Sequence, residues 1–274
     1  MTAVPVFLYH SVSNDPPRWL APYTVSPRTF VRHLNMIADS GLSVVPLREL
    51  VTTLLGGPPL PPRSAVLTFD DGYADFASTV APLLAGRGLP ATLYVTTGGM
   101  RTSTSLSGCG LFPSATMLSW AQLRELDTAG FEIGGHSRTH PQLDTLPRSS
   151  VREEVGGCKR EIEDALGHPV EPFAYPHGYS SRAVRTLVWE AGWTSAAAIR
   201  SASALSSNRD DPLRFARLMV RADTSRERFE LWARGEGAPV APFPEGLRTR
   251  GWRAYRRARA LTGHPYRALP TEEG

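Results

Sequence analysis

The stretch Ala65-Val66-Leu67-Thr68-Phe69-Asp70-Asp71-Gly72-Tyr73 decides how the rest of the chain is read. Its first five residues are apolar, β-branched or aromatic and predict a buried strand, which the Asp-Asp-Gly segment ends. Two neighbouring carboxylates at a strand end repel each other and are poorly solvated. They point to a bound cation or to a division into acid and base roles, with a plain Asp-Gly turn as the alternative.

Outward from this strand, short β-branched runs alternate with helix-period segments, the pattern of successive βα units and a largely parallel sheet. Upstream, Val4 to Tyr9 is an apolar run. Ser26-Pro27 offers an N-cap and a first-turn proline for a helix whose stripe is Phe30, Leu34 and Ile37. Leu42 to Val45 predicts a strand, Arg48 to Leu55 a helix, and Gly56 to Pro62 a loop. Downstream come a helix from Asp75 to Ala85, a strand from Ala91 to Val95, and a Ser/Thr/Gly-rich excursion from Arg101 to Pro113. Ser119 with Gln122 and Ser150 with Glu153 predict capping boxes for two further helices. Strands follow at Phe131–Gly134, Pro172–Tyr175, Thr194–Ile199 and Phe215–Val220, with a helix over Arg182–Ala191 between them. About seven or eight strands result, either an open doubly wound sheet or a distorted (β/α) barrel; both place ligands beyond the strands' C-terminal ends.

That rule selects Tyr9-His10, Asp70-Asp71, His136 to His140 and Tyr175 to Gly178, each just past a predicted strand. Two imidazoles four residues apart can reach one metal ion. Asp71, His136 and His140 therefore form a candidate Asp/His/His set that leaves a position for water, as catalytic zinc sites do. Zinc is the expected ion, and the mixed O/N ligands also suit cobalt, nickel or iron.

Composition agrees with a globular α/β chain. Of 274 residues, 41% are hydrophobic and 20% charged, which excludes global disorder. The two cysteines, Cys109 and Cys158, are too few for a disulfide framework. No basic segment leads into a long apolar stretch, so the cytoplasm is the expected location. Basic residues number 30 against 26 acidic ones, a net charge of +4, and no nucleic-acid partner is expected. The charge gathers near the C-terminus, where Arg248, Arg250, Arg253, Arg256, Arg257 and Arg259 flank Trp252 and Tyr255. This reads as a solvated tail or as a peripheral membrane contact.

Thr68 to Tyr73, the His136-Ser137-x-x-His140 pair and Phe173-Ala174-Tyr175-Pro176-His177-Gly178 resemble, in order and approximate spacing, the first three motifs of the polysaccharide deacetylases, the NodB-homology domain of carbohydrate esterase family four. Leu8-Tyr9-His10-Ser11-Val12 and Val25-Ser26-Pro27-x-x-Phe30 are similar to the branch that includes poly-N-acetylglucosamine deacetylases. The resemblance covers about residues 3 to 235. It implies a NodB-type distorted barrel, with a catalytic domain over 1–240 and an Arg/Pro-rich tail over 241–274. It also implies metal-dependent removal of the N-acetyl group from an N-acetylglucosamine-type glycan, glycolipid or glycoside.

Carried over residue by residue, the resemblance makes Asp70 the catalytic base and Asp71, His136 and His140 the metal ligands. It makes the Tyr175 backbone N–H a donor to the oxyanion, and Tyr73, Pro176 and His177 neighbours of the sugar. The family's late Leu-x-His histidine is absent, since the last predicted strand reads Arg217-Leu218-Met219-Val220-Arg221. A circularly permuted arrangement gives the role of general acid to His10, with a structural histidine as the alternative. The arginine that often precedes the third motif is also absent, where the chain reads Glu171-Pro172-Phe173, and Arg217 is the electrostatic substitute. His33 and His168 are expected to be structural. A catalytically silent carbohydrate-binding barrel and a hydrolase of another amide or ester are the competing readings.

Overall fold

The computed structural model describes residues 3–100, 111–112, 114–199, 202–205, 211–241 and 246–263. Most of the predicted excursion from Arg101 to Pro113, including Cys109, and the last residues of the tail lie outside them. Seven parallel strands form a curled sheet: β1 Val6–Tyr9, β2 Ser64–Phe69, β3 Thr92–Val95, β4 Glu132–Gly135, β5 Pro172–Ala174, β6 Ser195–Ala197 and β7 Leu218–Met219. Their spatial order is β6-β5-β4-β3-β2-β1-β7, and Ser43–Val44 pairs alongside the start of β2. The curl brings the edges together. Phe215, three residues before β7, bridges Ala197 of β6, and its carbonyl accepts from the Ala198 N–H at 2.9 Å. The expected distorted barrel is therefore a half-barrel closed by one short bridge.

Every residue of β1 and β2 is buried because both sheet faces are covered. Strand alternation sorts them. Phe7, Tyr9, Leu67, Phe69, Leu93 and Phe173 belong to the main core beneath the helices. Val6, Val66, Tyr94, Ala174, Ala197 and Phe215 face inward and meet Leu47, Leu50, Val51 and Leu54 of α2 (Leu47–Leu54), which plugs the barrel. The same alternation turns Thr68 and Asp70 toward the interior.

The helical layer begins with α1 (Pro27–Asp39), where the Ser26 side chain accepts from the Thr29 N–H as an N-cap and Phe30, Leu34 and Ile37 are buried. The predicted helix over residues 75–85 is divided. A π-helical turn, Phe76–Val80, has the Ala81 N–H bonded five residues back to Phe76, and α3 (Ala81–Ala85) follows. Pro82, which has no N–H to continue the regular ladder, accounts for the break. Helix α4 (Trp120–Thr128) has the predicted Ser119/Gln122 capping box. Helix α5 (Arg148–Leu166) does not start at Ser150 as expected. It starts directly after Pro147, whose φ of −58 and ψ of 150 turn the chain into the helix without a side-chain cap. Helices α6 (Arg182–Glu190) and α7 (Arg226–Ala233) complete the layer.

The arginine-rich C-terminal segment differs from a solvated tail. It folds as α8 (Leu247–Leu261), and Arg256 is fully buried. Among the described residues, no helix is long and apolar enough to cross a membrane.

Candidate metal centre

Beyond the C-terminal ends of β2 and β4, the Asp71 Oδ1 atom lies 3.4 Å from His136 Nε2 and 3.3 Å from His140 Nε2. Ligand atoms of the three residues all fall within 4.8 Å of one another. Asp71 Oδ1 is buried without a hydrogen-bond partner, which is costly for a carboxylate unless a cation meets it. His136 Nδ1 is 2.8 Å from the Ala174 carbonyl. Since a carbonyl only accepts, Nδ1 carries a proton, which leaves Nε2 as the nitrogen that faces Asp71 and is free to bind a metal ion. The donor set, its burial and this tautomer fit a divalent metal ion.

The local backbone is forced into place. Among the described residues, six non-glycine residues have positive φ, and Asp71, Ser137, His140 and His177 are four of them. Such conformations cost roughly 1–3 kcal/mol each and persist where the surroundings over-determine them. At Gly135, an added Cβ would lie 2.5 Å from the Trp193 ring, so only glycine lets β4 run this close before it delivers His136. The turn that follows is held by Glu154 of α5, which accepts from the backbone N–H groups of Arg138 at 2.9 Å and Thr139 at 2.8 Å. The Ser137 hydroxyl accepts from the His140 N–H at 3.0 Å, completing that turn.

Asp70 stands beside the three ligands, with Oδ2 3.8 Å from His136 Nε2. From inside the barrel, Arg217 grips both of its oxygens, each N–H···O distance being 2.7 Å. Arg217 Nη1 also approaches the Thr68 hydroxyl at 3.3 Å. Burial pushes the Asp70 carboxyl up, but Arg217 and then His136 outweigh it and hold it below its ordinary value. Arg217 thus occupies the electrostatic role expected of it. Burial likewise opposes ionisation of Asp71, and His140 and His136 prevail, leaving it well below the carboxylate range.

His10 is partly exposed, its Nδ1 is buried without a partner, and its ring lies 5.4 Å from that of Tyr23. Burial lowers its pKa, against the raising influence of Asp71 and Asp70. Asp75 anchors the segment that follows, its Oδ2 accepting from the Ser11 hydroxyl at 2.5 Å and the Val12 N–H at 3.2 Å.

Three expectations change. The Tyr175 backbone N–H donates to the Ala197 carbonyl at 3.0 Å, in continuation of the β5–β6 ladder, so it is engaged with the sheet and not with an oxyanion. Tyr73 is only 3% exposed and packs with Leu20, Phe112 and Met117, forming a wall of the site. Pro176 is buried too. Of the residues expected at the sugar, His177 alone keeps partial exposure, with its ring 4.5 Å from that of His140. Burial, then His140, lowers the His177 pKa to about 3, so it stands as a neutral imidazole.

His33 and His168 are structural as expected. His33 bonds the Tyr9 hydroxyl at 3.1 Å and stacks on Phe229 at 3.8 Å, and His168 pairs with Asp127 at 2.9 Å. Glu154, Asp75 and Arg256 escaped sequence reasoning. Asp75 could have been noticed as a third acid near the Asp-Asp pair; Arg256 stands out only as one of six clustered arginines, and nothing local marks Glu154.

Fold and site together define a class: a parallel half-barrel whose strand ends carry an Asp/His/His metal-type set beside an Arg-held carboxylate. The polysaccharide deacetylase family model matches residues 57–196, just over half of the chain, and so includes Asp70, Asp71, His136, His140 and Tyr175. The chain belongs to the polysaccharide deacetylase family. Among relatives, YxkH of Bacillus subtilis (strain 168), named for the same family, is 22% identical over 175 residues, covering 64% of this chain and 57% of YxkH. The poly-β-1,6-N-acetyl-D-glucosamine N-deacetylase of Escherichia coli (strain K12) is 30% identical over 105 residues, 37% of this chain and 16% of that protein. The chain thus spans little more than half of the first relative and a small part of the second. Among solved structures, IcaB from Ammonifex degensii shares the fold with a TM-score of 0.72 at 22% identity, covering 85% of this chain and 98% of that one.

Proposed function

We propose that this protein is a metal-dependent hydrolase that removes the acetyl group from an N-acetylglucosamine-type sugar. The observation that carries the reading is the buried, unpartnered Asp71 Oδ1 facing two imidazole nitrogens, beside the Arg217-held Asp70. Family membership and the poly-N-acetylglucosamine deacetylase among the relatives support the sugar as substrate.

Asp71, His136 and His140 would hold the ion. When bound, the metal supplies Lewis-acid charge for the acetamide oxygen and lowers the pKa of nearby water, with zinc the expected ion. Asp70, kept ionised by Arg217, takes a proton from the attacking water. Water oxygen bonds to the acetyl carbon, the C–N bond breaks, and His10 gives a proton to the departing nitrogen. The products are acetate and the free amine. His177 stands neutral at the rim, where it can hydrogen-bond a sugar hydroxyl without drawing in a counter-charge.

Metal analysis of the purified protein, with mass spectrometry for loss of acetyl across a panel of N-acetylated sugars, tests the reading. Bound divalent metal and a loss of one acetyl mass are expected, and Asp71→Ala and His136→Ala should abolish both. Full activity and metal content in those variants would place the chemistry elsewhere. Activity confined to non-sugar amides would correct the substrate.

A further inference from the structure

Helix α8 is seated on the rim of the site. The Arg256 guanidinium makes two bonds of 3.0 Å to the Asp144 carboxylate and one of 2.7 Å to Gln142 Oε1. It also lies 3.6 Å from the centre of the Tyr179 ring. Trp252 Nε1 donates to the Tyr179 hydroxyl at 3.0 Å, and Arg253 donates to the Ser180 carbonyl at 3.1 Å. Gln142 and Asp144 follow the turn that bears His140, while Tyr179 and Ser180 follow the turn that bears His177. Both strand-end loops are thereby tied to one helix.

The consequence is a row of rings leading away from the metal ligands. His140 and His177 are 4.5 Å apart, His177 and Tyr179 6.2 Å, and Trp252, bonded to Tyr179, stacks on Tyr255 at 5.5 Å. Tyr179, Trp252 and Tyr255 line an open, mainly apolar depression of about 820 Å³, with Arg248, Thr249 and Gly251 completing it. A Cβ added at Gly251 would meet nothing within 4 Å, so this part of the lining has room for a larger side chain.

We propose that this depression is a saccharide subsite that takes further sugar units of the chain whose acetamide lies at the metal centre, so that oligomers are preferred over monomers. The inference rests on the deacetylase reading. The Trp252 and Tyr255 rings offer apolar surface to the C–H faces of pyranoses, and the Tyr255 hydroxyl a polar edge to their hydroxyls, the Trp252 N–H being already given to Tyr179. Arg248 and Thr249 add the few hydrogen-bonding groups that orient a ligand in an apolar pocket. Continuity with the rim assigns the occupant, because the ring row starts at a metal ligand. A bilayer is a poorer fit: Trp252 is tied back onto Tyr179, and the most exposed apolar residues of α8, Leu247 and Leu261, stand at its opposite ends.

The test compares steady-state deacetylation of N-acetylglucosamine with that of its β-1,4- and β-1,6-linked pentamers, using the full chain. Trp252→Ala, which removes one stacking contact, and Gly251→Leu, which crowds the lining, should each lower the pentamer-to-monomer ratio of kcat/KM about tenfold. Gly251→Leu raises helix propensity and fills open space, so its folding is safe. An unchanged ratio in both variants overturns the subsite. Tryptophan-emission titration of the chelated full chain with the pentamers separates the two readings. If the wild type releases acetate from no sugar, pentamer binding that Gly251→Leu abolishes still supports the subsite, and lack of binding refutes it. Sedimentation with phosphatidylserine vesicles that depends on Trp252, with pentamer titration unaltered, would replace the saccharide by a membrane.

Discussion

Replacing Arg217 by Met removes the guanidinium that grips Asp70 while keeping an unbranched apolar side chain of similar length. Both partners are essentially inaccessible, at 0% and 1% exposure, so water cannot take over the two 2.7 Å hydrogen bonds. Breaking a buried pair by removing one partner costs about 3–5 kcal/mol, which at ~2 °C per kcal/mol for a chain of this length lowers Tm by roughly 6–10 °C at neutral pH. The pH dependence follows from the sign of the Asp70 shift. In the wild type, the carboxyl lies below its ordinary value, so its contribution is present above that value and fades as pH falls through the lowered one. In Arg217→Met, burial is opposed only by the weaker pull of His136 and His10, so the carboxyl rises and the stability that its ionised form contributes above the ordinary value shrinks. The Tm difference should therefore be widest near pH 7 and shrink toward about pH 4, close to the unfolded carboxylate pKa. Calorimetry of both proteins across that range measures it. The acid limb of kcat/KM should move to higher pH in the variant, because Asp70 must be ionised to act as base. Arg217→Lys, which keeps charge but not the fork, should fall between the two. A Tm difference independent of pH, with the acid limb unmoved, would show that Arg217 does not set the ionisation of Asp70.

Three further outcomes follow from the geometry. His10→Ala should lower kcat about 100-fold with metal content intact. Because burial lowers the His10 pKa, the wild type should lose activity as pH rises through a value below the ordinary imidazole one, and that alkaline limb should vanish in the variant; loss of metal would instead make His10 a ligand. Arg256→Met should cost about 3 kcal/mol in denaturant unfolding, at the lower end for a buried pair because Arg257 remains 3.6 Å from Asp144, and Arg256→Met/Asp144→Leu should recover most of it. Gly135→Ala forces a Cβ to within 2.5 Å of the Trp193 ring and should lower stability by at least about 1–3 kcal/mol; metal analysis should also show weaker binding as His136 is displaced, and unaltered Tm and metal affinity would contradict the packing.

The candidate donor set was legible in the sequence because Asp70, Asp71 and His136 stand at the ends of predicted strands and His140 follows four residues later, and strand ends are where a parallel sheet presents its ligands. Asp70, Asp71, His136 and His140 could be chosen by type and spacing alone. Helix starts were legible where a side chain caps, as at Ser26 and Ser119. The start of α5 was misplaced because Pro147 sets the backbone more strongly than Ser150 could cap it.

What only the tertiary structure decided is how distant segments meet. No local pattern reveals that Arg217 passes through the barrel interior to Asp70, 147 residues away in sequence, or that Arg256 pairs with Asp144, 112 residues away. The curl of the sheet also decides that the Tyr175 N–H is spent on Ala197, a bond an open sequence motif cannot show. Residue types and strand periodicity are properties of neighbours in the chain, so the sequence by itself determined the donor set and the parallel α/β class. Ion pairs, occupied backbone donors and the seating of α8 depend on which strand ends converge after the sheet curls, and the fold alone brings them together.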